Sequence, residues 1–431
     1  MINKILKKNI SPENLNSFGA IIEKGFKFSN LLVFIVLSKY IGLNNFANFS
    51  FVFNLLFFFS LIFESGLKQV FIRDYLLSSK NRDKIISNTL GTLVIISIFF
   101  FTVVALYYLF EQNHLIKNLL LILSLGYVLK PFLVYKYIIE AELNLLKFNS
   151  RYFIVFIVGL FIKLIIVLVY KAEVDTLMYL ICFIISLENI FECILLKIYF
   201  SNSNFFLGEI SFEIIKNMLR ESWPILFSAI MIGLYARIDQ IIMRFITSPT
   251  ELGIYAFVVR IVEIGYTIIS SLLISEYPSV IKAKDNYDDL EQTIVHIILK
   301  NLKITFIISI VLLIISIGIT FTIYGNTNIS FKIIVLTISL MVTNIFVVTG
   351  TILNYYLLVK ELNRIRVYST FIGVALNVMT IFILVPTYGA YGAVLASLIS
   401  YAVAGLGYIY FFNQTKKLKG EIIRAFITKS F

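Results

Sequence analysis

The sequence is poor in charged residues, and it holds only two cysteines and two histidines. Charged side chains make up 14% of its 431 residues, against about 25% in soluble proteins. Cys182 and Cys193 lie in one apolar run, about 16 Å apart along a helix, which is too far for a disulfide. Neither a zinc-type Cys/His spacing nor a glycine-rich phosphate loop occurs, so we expect no metal site, no cofactor and no direct use of ATP.

The sequence is instead rich in long hydrophobic runs. Hydrophobic residues make up 59% of the chain, and the mean hydropathy is +0.91. Runs of about 20 apolar residues are long enough to cross a bilayer as helices, so the sequence predicts an all-α, polytopic membrane protein. Twelve such spans are predicted: Phe18–Ile41, Phe46–Val70, Ile85–Phe110, Leu115–Ile138, Phe148–Tyr170, Leu177–Phe200, Trp223–Ile246, Leu252–Tyr277, Ile294–Ile323, Phe331–Val359, Val367–Val385 and Ala390–Phe412.

The basic start of the chain resembles a signal peptide, with lysines before an apolar run. The run Phe18–Ile41 is longer than a signal-peptide core, and no small-residue cleavage site follows it. We therefore expect this segment to be retained as the first transmembrane helix.

Lysine and arginine alternate between loops in the manner that sets membrane orientation. One side of the predicted topology collects 23 of them, including both ends of the chain, whereas the other side has four. Those four are Lys117, Lys171, Arg244 and Lys332. Because the richer side faces the cytoplasm, both termini are predicted to be cytoplasmic, which requires an even number of spans.

The longest inner loop, Ser201–Arg220, falls midway along the chain and divides it into two six-helix lobes. The predicted domains are an N-terminal lobe (1–200), a linker (201–220), a C-terminal lobe (221–413) and a basic cytoplasmic tail (414–431). Similar stretches after the first and seventh spans favour an internal repeat, a common feature of transporters. The tail is typical of an interfacial anchor on anionic lipid.

Four charged residues, Arg237, Asp239, Arg260 and Glu263, lie away from the ends of the seventh and eighth spans. An isolated charge near the middle of a membrane costs about 2.5–3.5 kcal/mol. Arg237 and Arg260 each lie about nine residues, or roughly 13 Å, from the outer turn that joins these spans. We expect Asp239 or Glu263 to pair with one of the arginines across the hairpin. Such a group is either a structural ion pair or part of a substrate and ion site.

Further charges in the N-terminal half are candidates for the same cavity. Lys24 and Lys27 lie six to nine residues into the first span, with Glu64 at comparable depth on the second. They form either a polar cluster near the cytoplasmic side or, for the lysines, side chains that reach the interface. Lys163, deep in the fifth span, is expected to face the central cavity or an acid such as Glu188.

The hairpin formed by the seventh and eighth spans carries a set of motif residues: Glu221–Pro224, Tyr235, Arg237–Gln240, Glu251–Tyr255, Arg260 and Glu263. In these residues it resembles the polysaccharide exporter branch of the superfamily that also contains multidrug and toxin extruders, and within it the Wzx-type repeat-unit flippases. A second block, "ALNVMTIFILVPTYGAYGAVLASLISY" from Ala375, is similar to the last two helices of that family. In the first helix the chain has lysines where the family pattern has arginines.

The resemblance implies a flippase for undecaprenyl-pyrophosphate-linked repeat units of O-antigen or capsule, located in the bacterial inner membrane. Lys24, Lys27, Lys163, Arg237 and Arg260 would bind the anionic headgroup, since basic groups form charge-assisted hydrogen bonds with phosphate. Asp239, Glu263 or Glu64 would carry a coupling proton or sodium ion. Expected partners are the lipid-linked oligosaccharide, membrane lipid and polymerase or chain-length proteins, with no nucleic acid.

Two other functions fit parts of the same pattern. A multidrug or small-molecule cation antiporter of the same fold would need a cavity more acidic and aromatic than this one. An integral membrane glycan polymerase would need a sizeable outer loop, and the predicted outer loops are short. We therefore predict a transporter rather than an enzyme.

Overall fold

The computed structural model describes residues 12–64, 66–77, 81–169, 173–200, 210–274, 287–360 and 362–411, with 276, 280, 283, 415 and 418–420. Those residues form helices and turns, and no strand occurs among them. An all-helical structure follows from the composition, because a chain surrounded by hydrocarbon must satisfy its backbone hydrogen bonds within each segment.

The helices are numbered in chain order. They are α1 (Pro12–Glu64), α2 (Leu67–Leu77), α3 (Arg82–Phe110), α4 (His114–Leu125), α5 (Leu133–Ala141), α6 (Leu145–Val169), α7 (Val174–Tyr199), α8 (Phe212–Ile246), α9 (Pro249–Ile274), α10 (Tyr287–Tyr324), α11 (Asn328–Met341), α12 (Thr343–Val359), α13 (Asn363–Tyr388), α14 (Ala390–Ala402) and α15 (Tyr408–Phe411). A 3-10 turn, Lys130–Phe132, links α4 to α5, and a π-helical turn, Val403–Gly407, links α14 to α15.

The described residues contain ten segments that are long and apolar enough to span a membrane, or eleven when the bent helix α8 is included. The sequence predicts twelve. The difference arises at Gly42, where φ is +74° and α1 breaks without a loop, so that the first two predicted spans form one continuous segment. Its arms, 12–41 and 43–64, are about 45 Å and 33 Å long, and each is sufficient to cross a bilayer.

The chain forms two compact units. One comprises Met1–Ile41 with Asn48–Gly233, and the other comprises Gly42–Ala47 with Leu234–Phe431. Helix α8 begins at Phe212, inside the segment predicted as a linker, and its residues up to Gly233 belong to the first unit. The domain bounds drawn from the sequence therefore remain a prediction, with the structure dividing the chain at a different residue.

The N-terminal unit has an aromatic core. Phe100 packs against Tyr127 with ring centroids 4.8 Å apart, and Phe63 lies 6.0 Å from the same tyrosine. The first part of α8 joins this unit through Gly66, whose φ is +71° and whose missing Cβ would lie 2.7 Å from the Ser222 carbonyl oxygen. Only glycine allows this approach of two backbones. Arg73 on α2 adds an ion pair with Glu221.

The C-terminal unit is held together by close helix packing. A Cβ on Gly392 would lie 2.4 Å from the Leu384 carbonyl oxygen, so the absence of a side chain there lets α13 and α14 pack closely. Helix α13 continues to Tyr388, two residues beyond Pro386, where the sequence predicts its end. The proline fits the last turn because Gly389 caps it, with φ at +55° and its N–H donating to the Val385 carbonyl at 2.8 Å.

The segment Gly42–Ala47, at the start of the second arm of α1, packs on the beginning of α9 within the C-terminal unit. Thr250 Oγ1 donates to Asn44 Oδ1 at 2.7 Å, and the Phe46 and Phe257 rings lie 6.4 Å apart. A Cβ on Gly253 would lie 2.1 Å from the Leu43 carbonyl oxygen. The break at Gly42 thus lies beside a helical segment that packs directly against the α9 backbone.

Candidate functional site

The α8–α9 hairpin carries a cluster of buried charges in the C-terminal unit. It is set by a short connection: the Thr247 N–H donates to the Met243 carbonyl near the end of α8, Ser248 Oγ accepts the Glu251 N–H at 3.3 Å, and Pro249 begins α9. Serine before proline at the first helical position, with glutamate three residues on, is a frequent helix start. The two helices therefore return antiparallel, with residues at equal distance from the turn at equal depth.

One carboxylate in this cluster is shared by two arginines. Arg237 Nη1 on α8 lies 2.5 Å from Glu263 Oε1 on α9, and Arg260 Nη1 lies 3.1 Å from Glu263 Oε2. Side-chain exposure is 14% for Arg237, 5% for Arg260 and 22% for Glu263. We call these three residues the arginine–glutamate triad. Two cations and one anion leave it with a formal charge of +1.

Asp239 has a different set of partners from the triad. Tyr255 donates its hydroxyl to Asp239 Oδ2, and the Gln240 N–H donates to Oδ1 at 2.7 Å. The Tyr255 oxygen also lies 3.1 Å from Ser397 Oγ on α14. Asp239, Tyr255 and Ser397 are all buried, so a hydrogen-bonded chain links α8, α9 and α14.

Aromatic and amide side chains continue the polar interior of this unit. The Tyr235 and Tyr401 rings pack edge to face, with centroids 4.4 Å apart. Asn377 Nδ2 donates to Ser400 Oγ at 3.1 Å. The interior of the C-terminal unit is therefore polar along four helices, α8, α9, α13 and α14.

The expected pairing across the hairpin is confirmed, and Glu263 is the acid that makes it. Arg237 and Asp239 are two residues apart on α8, so their side chains point in different directions. Arg237 contacts Glu263, whereas Asp239 contacts Tyr255. Sequence reasoning missed Tyr255 as a site residue and used it only as part of a motif. Counted as for the arginines, Tyr255 lies about four residues after the turn and Asp239 about seven before it, so distance from the turn did not predict that these side chains meet.

The predicted residues of the N-terminal half lie elsewhere in the chain. Lys163 on α6 is fully buried, with its Nζ 2.7 Å from Glu188 Oε1 on α7 and 2.5 Å from Asn30 Oδ1 on α1. A Cβ on Gly159 would lie 2.0 Å from Glu188 Oε1, so this glycine makes room for the carboxylate. The sequence left two alternatives for Lys163, the central cavity or an acid such as Glu188. The structure shows that Lys163 pairs with Glu188.

Glu64 is the last residue of α1 and is half-buried. The neighbouring Phe63 carbonyl accepts a hydrogen bond from the Tyr137 hydroxyl. Lys24 and Lys27 belong to α1, but their side chains lie outside the described residues. Within the described part of the chain, no group of three or more His, Cys, Asp or Glu side chains could hold a metal ion.

Solved transporter structures share this fold. An inward-facing multidrug resistance MATE transporter of the MOP superfamily has a TM-score of 0.72 and 13% identity, with 92% of this chain and 96% of that chain covered. The lipid II flippase MurJ, in an inward closed conformation, has a TM-score of 0.71 and 15% identity, with 95% and 91% covered. At such identities the likeness establishes the fold alone.

A third similar structure is a MOP superfamily transporter from Pyrococcus furiosus, described as having a binding pocket of reverse polarity. Its TM-score is 0.56 and its identity 13%, with 98% of each chain covered. No curated protein matches the sequence. The family of polysaccharide biosynthesis proteins matches residues 17–280, which is more than half of the chain and includes the whole arginine–glutamate triad. The chain is a multi-pass membrane protein with a MATE- and MurJ-like fold, and it belongs to the polysaccharide biosynthesis protein family.

Proposed function

We propose that this protein is a flippase for lipid-linked oligosaccharides. Its substrate would be an undecaprenyl-pyrophosphate-linked repeat unit of O-antigen or capsule, moved from the inner to the outer leaflet of the bacterial inner membrane. Membership of the polysaccharide biosynthesis family supports the glycan, and the fold shared with a lipid II flippase supports a lipid-linked substrate. The arginine–glutamate triad is the observation that carries the proposal.

The triad offers the chemistry that a pyrophosphate requires. Guanidinium groups bind phosphate through paired N–H donors, and they stay charged even when buried. Arg237 and Arg260 come from adjacent helices and converge on one carboxylate, so their donors already point to a common place. Glu263 occupies that place, and a phosphate group can take it over.

Exchange of the Glu263 carboxylate for the substrate phosphate at the two arginines provides a route to ion coupling. A proton or sodium ion on Glu263 would cancel its charge and free both arginines for the substrate. Release of that ion would restore the carboxylate as a competitor and weaken substrate binding. Asp239, held by Tyr255 close to the triad in sequence, is the second candidate for the coupling ion.

We assign the remaining predicted residues more peripheral parts. Lys163 is fully buried and engaged by Glu188 and Asn30, so we propose that it stabilises the N-terminal unit rather than contacting the anion. Lys24, Lys27 and Glu64 remain candidates for a polar cluster near the cytoplasmic side. Polymerase or chain-length proteins would act next on the exported glycan.

Multidrug antiporters share the fold, so cation efflux is the alternative function. A cation site needs an excess of acid. The triad has a formal charge of +1, and the buried Asp239 of the same hairpin brings the four charges to zero, so acids are not in excess. The two guanidinium groups favour an anionic substrate.

Deletion of the gene tests the proposal. We expect surface glycan to disappear while lipid-linked repeat units accumulate on the cytoplasmic face. Complementation with the wild-type gene should restore the glycan, Arg260→Ala should not, and Arg364→Ala, which alters an exposed arginine of α13, should. Unchanged surface glycan in the deletion strain, or loss of cation-dye efflux in its place, would contradict the proposal.

A further inference from the structure

A cleft of about 640 Å³ opens in the C-terminal unit, separate from the triad. Its walls are the α8–α9 turn, one side chain of α11 and the α13–α14 turn. Its lining residues are Phe245, Ile246, Thr247, Ser248, Glu251, Lys332, Val385, Pro386, Thr387, Tyr388 and Gly389. It is an open groove at the surface of the unit and not an enclosed cavity.

Glu251 fixes the shape of this cleft. Its carboxylate forms an ion pair with Lys332 and also accepts the Ala390 N–H at 2.7 Å, which caps the start of α14. A Cβ on Gly389 would lie 2.4 Å from Glu251 Oε2, and the φ of Gly389 is +55°. One acid thus joins three helices, and the α13–α14 turn packs directly against it.

The lining combines hydroxyl groups with exposed aromatic rings. It contains one acid and one base, so its formal charge is zero. Thr247, Ser248 and Thr387 supply hydroxyls, while Glu251 and Lys332 neutralise each other. Tyr388 is 59% exposed at the rim. A sugar ring has an apolar C–H face that packs on the negative face of an aromatic ring, and hydroxyls that pair with polar side chains.

The expected topology places this cleft on the outer face of the membrane. Both turns that line it belong to the side poor in lysine and arginine, where Arg244 and Lys332 are two of the four basic residues. On this side, a glycan carried across the membrane would leave the protein.

We propose that the cleft is a carbohydrate-binding site, which receives the neutral sugars of the repeat unit at the outer face. This proposal rests on the proposed flippase function, since it takes the transported glycan as the ligand. It adds a site remote from the arginines that would hold the pyrophosphate. Recognition there would depend on the sugar and not on the lipid carrier.

Free sugars test the cleft without involving the triad, because they carry neither lipid nor pyrophosphate. The probes are the repeat-unit oligosaccharide released from the host's surface glycan, together with glucose, galactose and N-acetylglucosamine. Saturation-transfer NMR with the full-length protein in nanodiscs would measure their binding. We expect at least one of them to bind the wild type, and Tyr388→Ala to weaken that binding about tenfold.

Tyr368→Ala is the matched control, because Tyr368 lies near the opposite end of the same helix and is 58% exposed. It should bind as the wild type does, and Tyr388→Trp should keep most of the affinity. Equal binding by wild type and Tyr388→Ala, or no binding of any probe, would overturn the cleft proposal. The flippase proposal would then still stand if the deletion strain lost its surface glycan, so the two failures are distinguishable.

Discussion

Arg237 on α8 and Arg260 on α9 bind opposite oxygens of the same carboxylate, that of Glu263. Because the three side chains are mostly buried, neither guanidinium has bulk water to replace a lost counter-charge. Removal of one partner from a buried ion pair costs about 3–5 kcal/mol, whereas replacement of both partners is often neutral. The triad therefore makes separate predictions for stability and for transport.

Glu263→Gln should destabilise the protein and abolish export. The two arginines would then repel each other, and we expect the melting temperature in detergent to fall by several degrees. Glu263→Gln combined with Arg237→Gln removes the repulsion but leaves the buried Arg260 without this carboxylate, so the melting temperature should recover only in part, and surface glycan should not return. If the double variant exports glycan as the wild type does, the triad has only a structural role.

Tyr255→Phe should destabilise the C-terminal unit. It removes the hydroxyl that donates to the buried Asp239 and contacts Ser397, and an unsatisfied buried acceptor costs about 1–3 kcal/mol. Thermal unfolding in detergent measures the effect. Tyr368→Phe, which changes an exposed ring, is the control and should melt like the wild type. Equal melting temperatures for both variants would show that the hydroxyl is dispensable.

Gly253→Ala should disrupt the packing of the Gly42–Ala47 segment on α9. The new Cβ would lie 2.1 Å from a backbone oxygen, that of Leu43, which cannot move as a flexible side chain could. Gly318→Ala is the matched control in α10, since a methyl group there would have no neighbouring atom within 4 Å. Alanine stabilises an open helical position by about 0.5–1 kcal/mol. We therefore expect melting temperatures to shift in opposite directions, and a stable Gly253→Ala would contradict the close approach.

Lys163→Met should destabilise the N-terminal unit by leaving Glu188 buried without its cation. A loss of about 3–5 kcal/mol is expected for a pair this deeply buried. Adding Glu188→Gln should restore most of the stability, because both charges are then gone. Lys117→Met, which alters a basic residue of α4 outside this pair, serves as the control. An equally unstable double variant would mean that shape, and not charge, sets the contribution of Lys163.

The sequence was sufficient to predict the class of fold and the level of Arg237 and Arg260 along the hairpin. Hydrophobic run length predicted the spans, and distance from the hairpin turn brought Arg237 and Arg260 to one level. The sequence did not identify the partner of each charged residue, because the pairing depends on how α8 is rotated about its axis relative to α9. Glu263 and Asp239 were equivalent candidates until the rotation was known, and the tertiary structure alone supplies it.

The contacts made by glycines were also beyond sequence reasoning. Gly159 and Gly253 lie in apolar runs with no local sign of what approaches them. Their roles depend on Glu188 and Leu43, which come from other helices. The break at Gly42 is a similar case, since a glycine between two long apolar runs predicts a loop as readily as a break within one helix.

The early start of α8 has a practical consequence for dissecting this protein into separately expressed halves. Residues 212–233 fill spaces beside Gly66 and Gly91 in the N-terminal unit, through Ser222 and Ile215. A gene split within 201–209 would remove that segment from the first half and expose the surface that it covers around Gly66 and Gly91. The first polypeptide would then aggregate or capture the missing helix from the second, so complementation between fragments would depend on α8 rather than on the midpoint of the sequence.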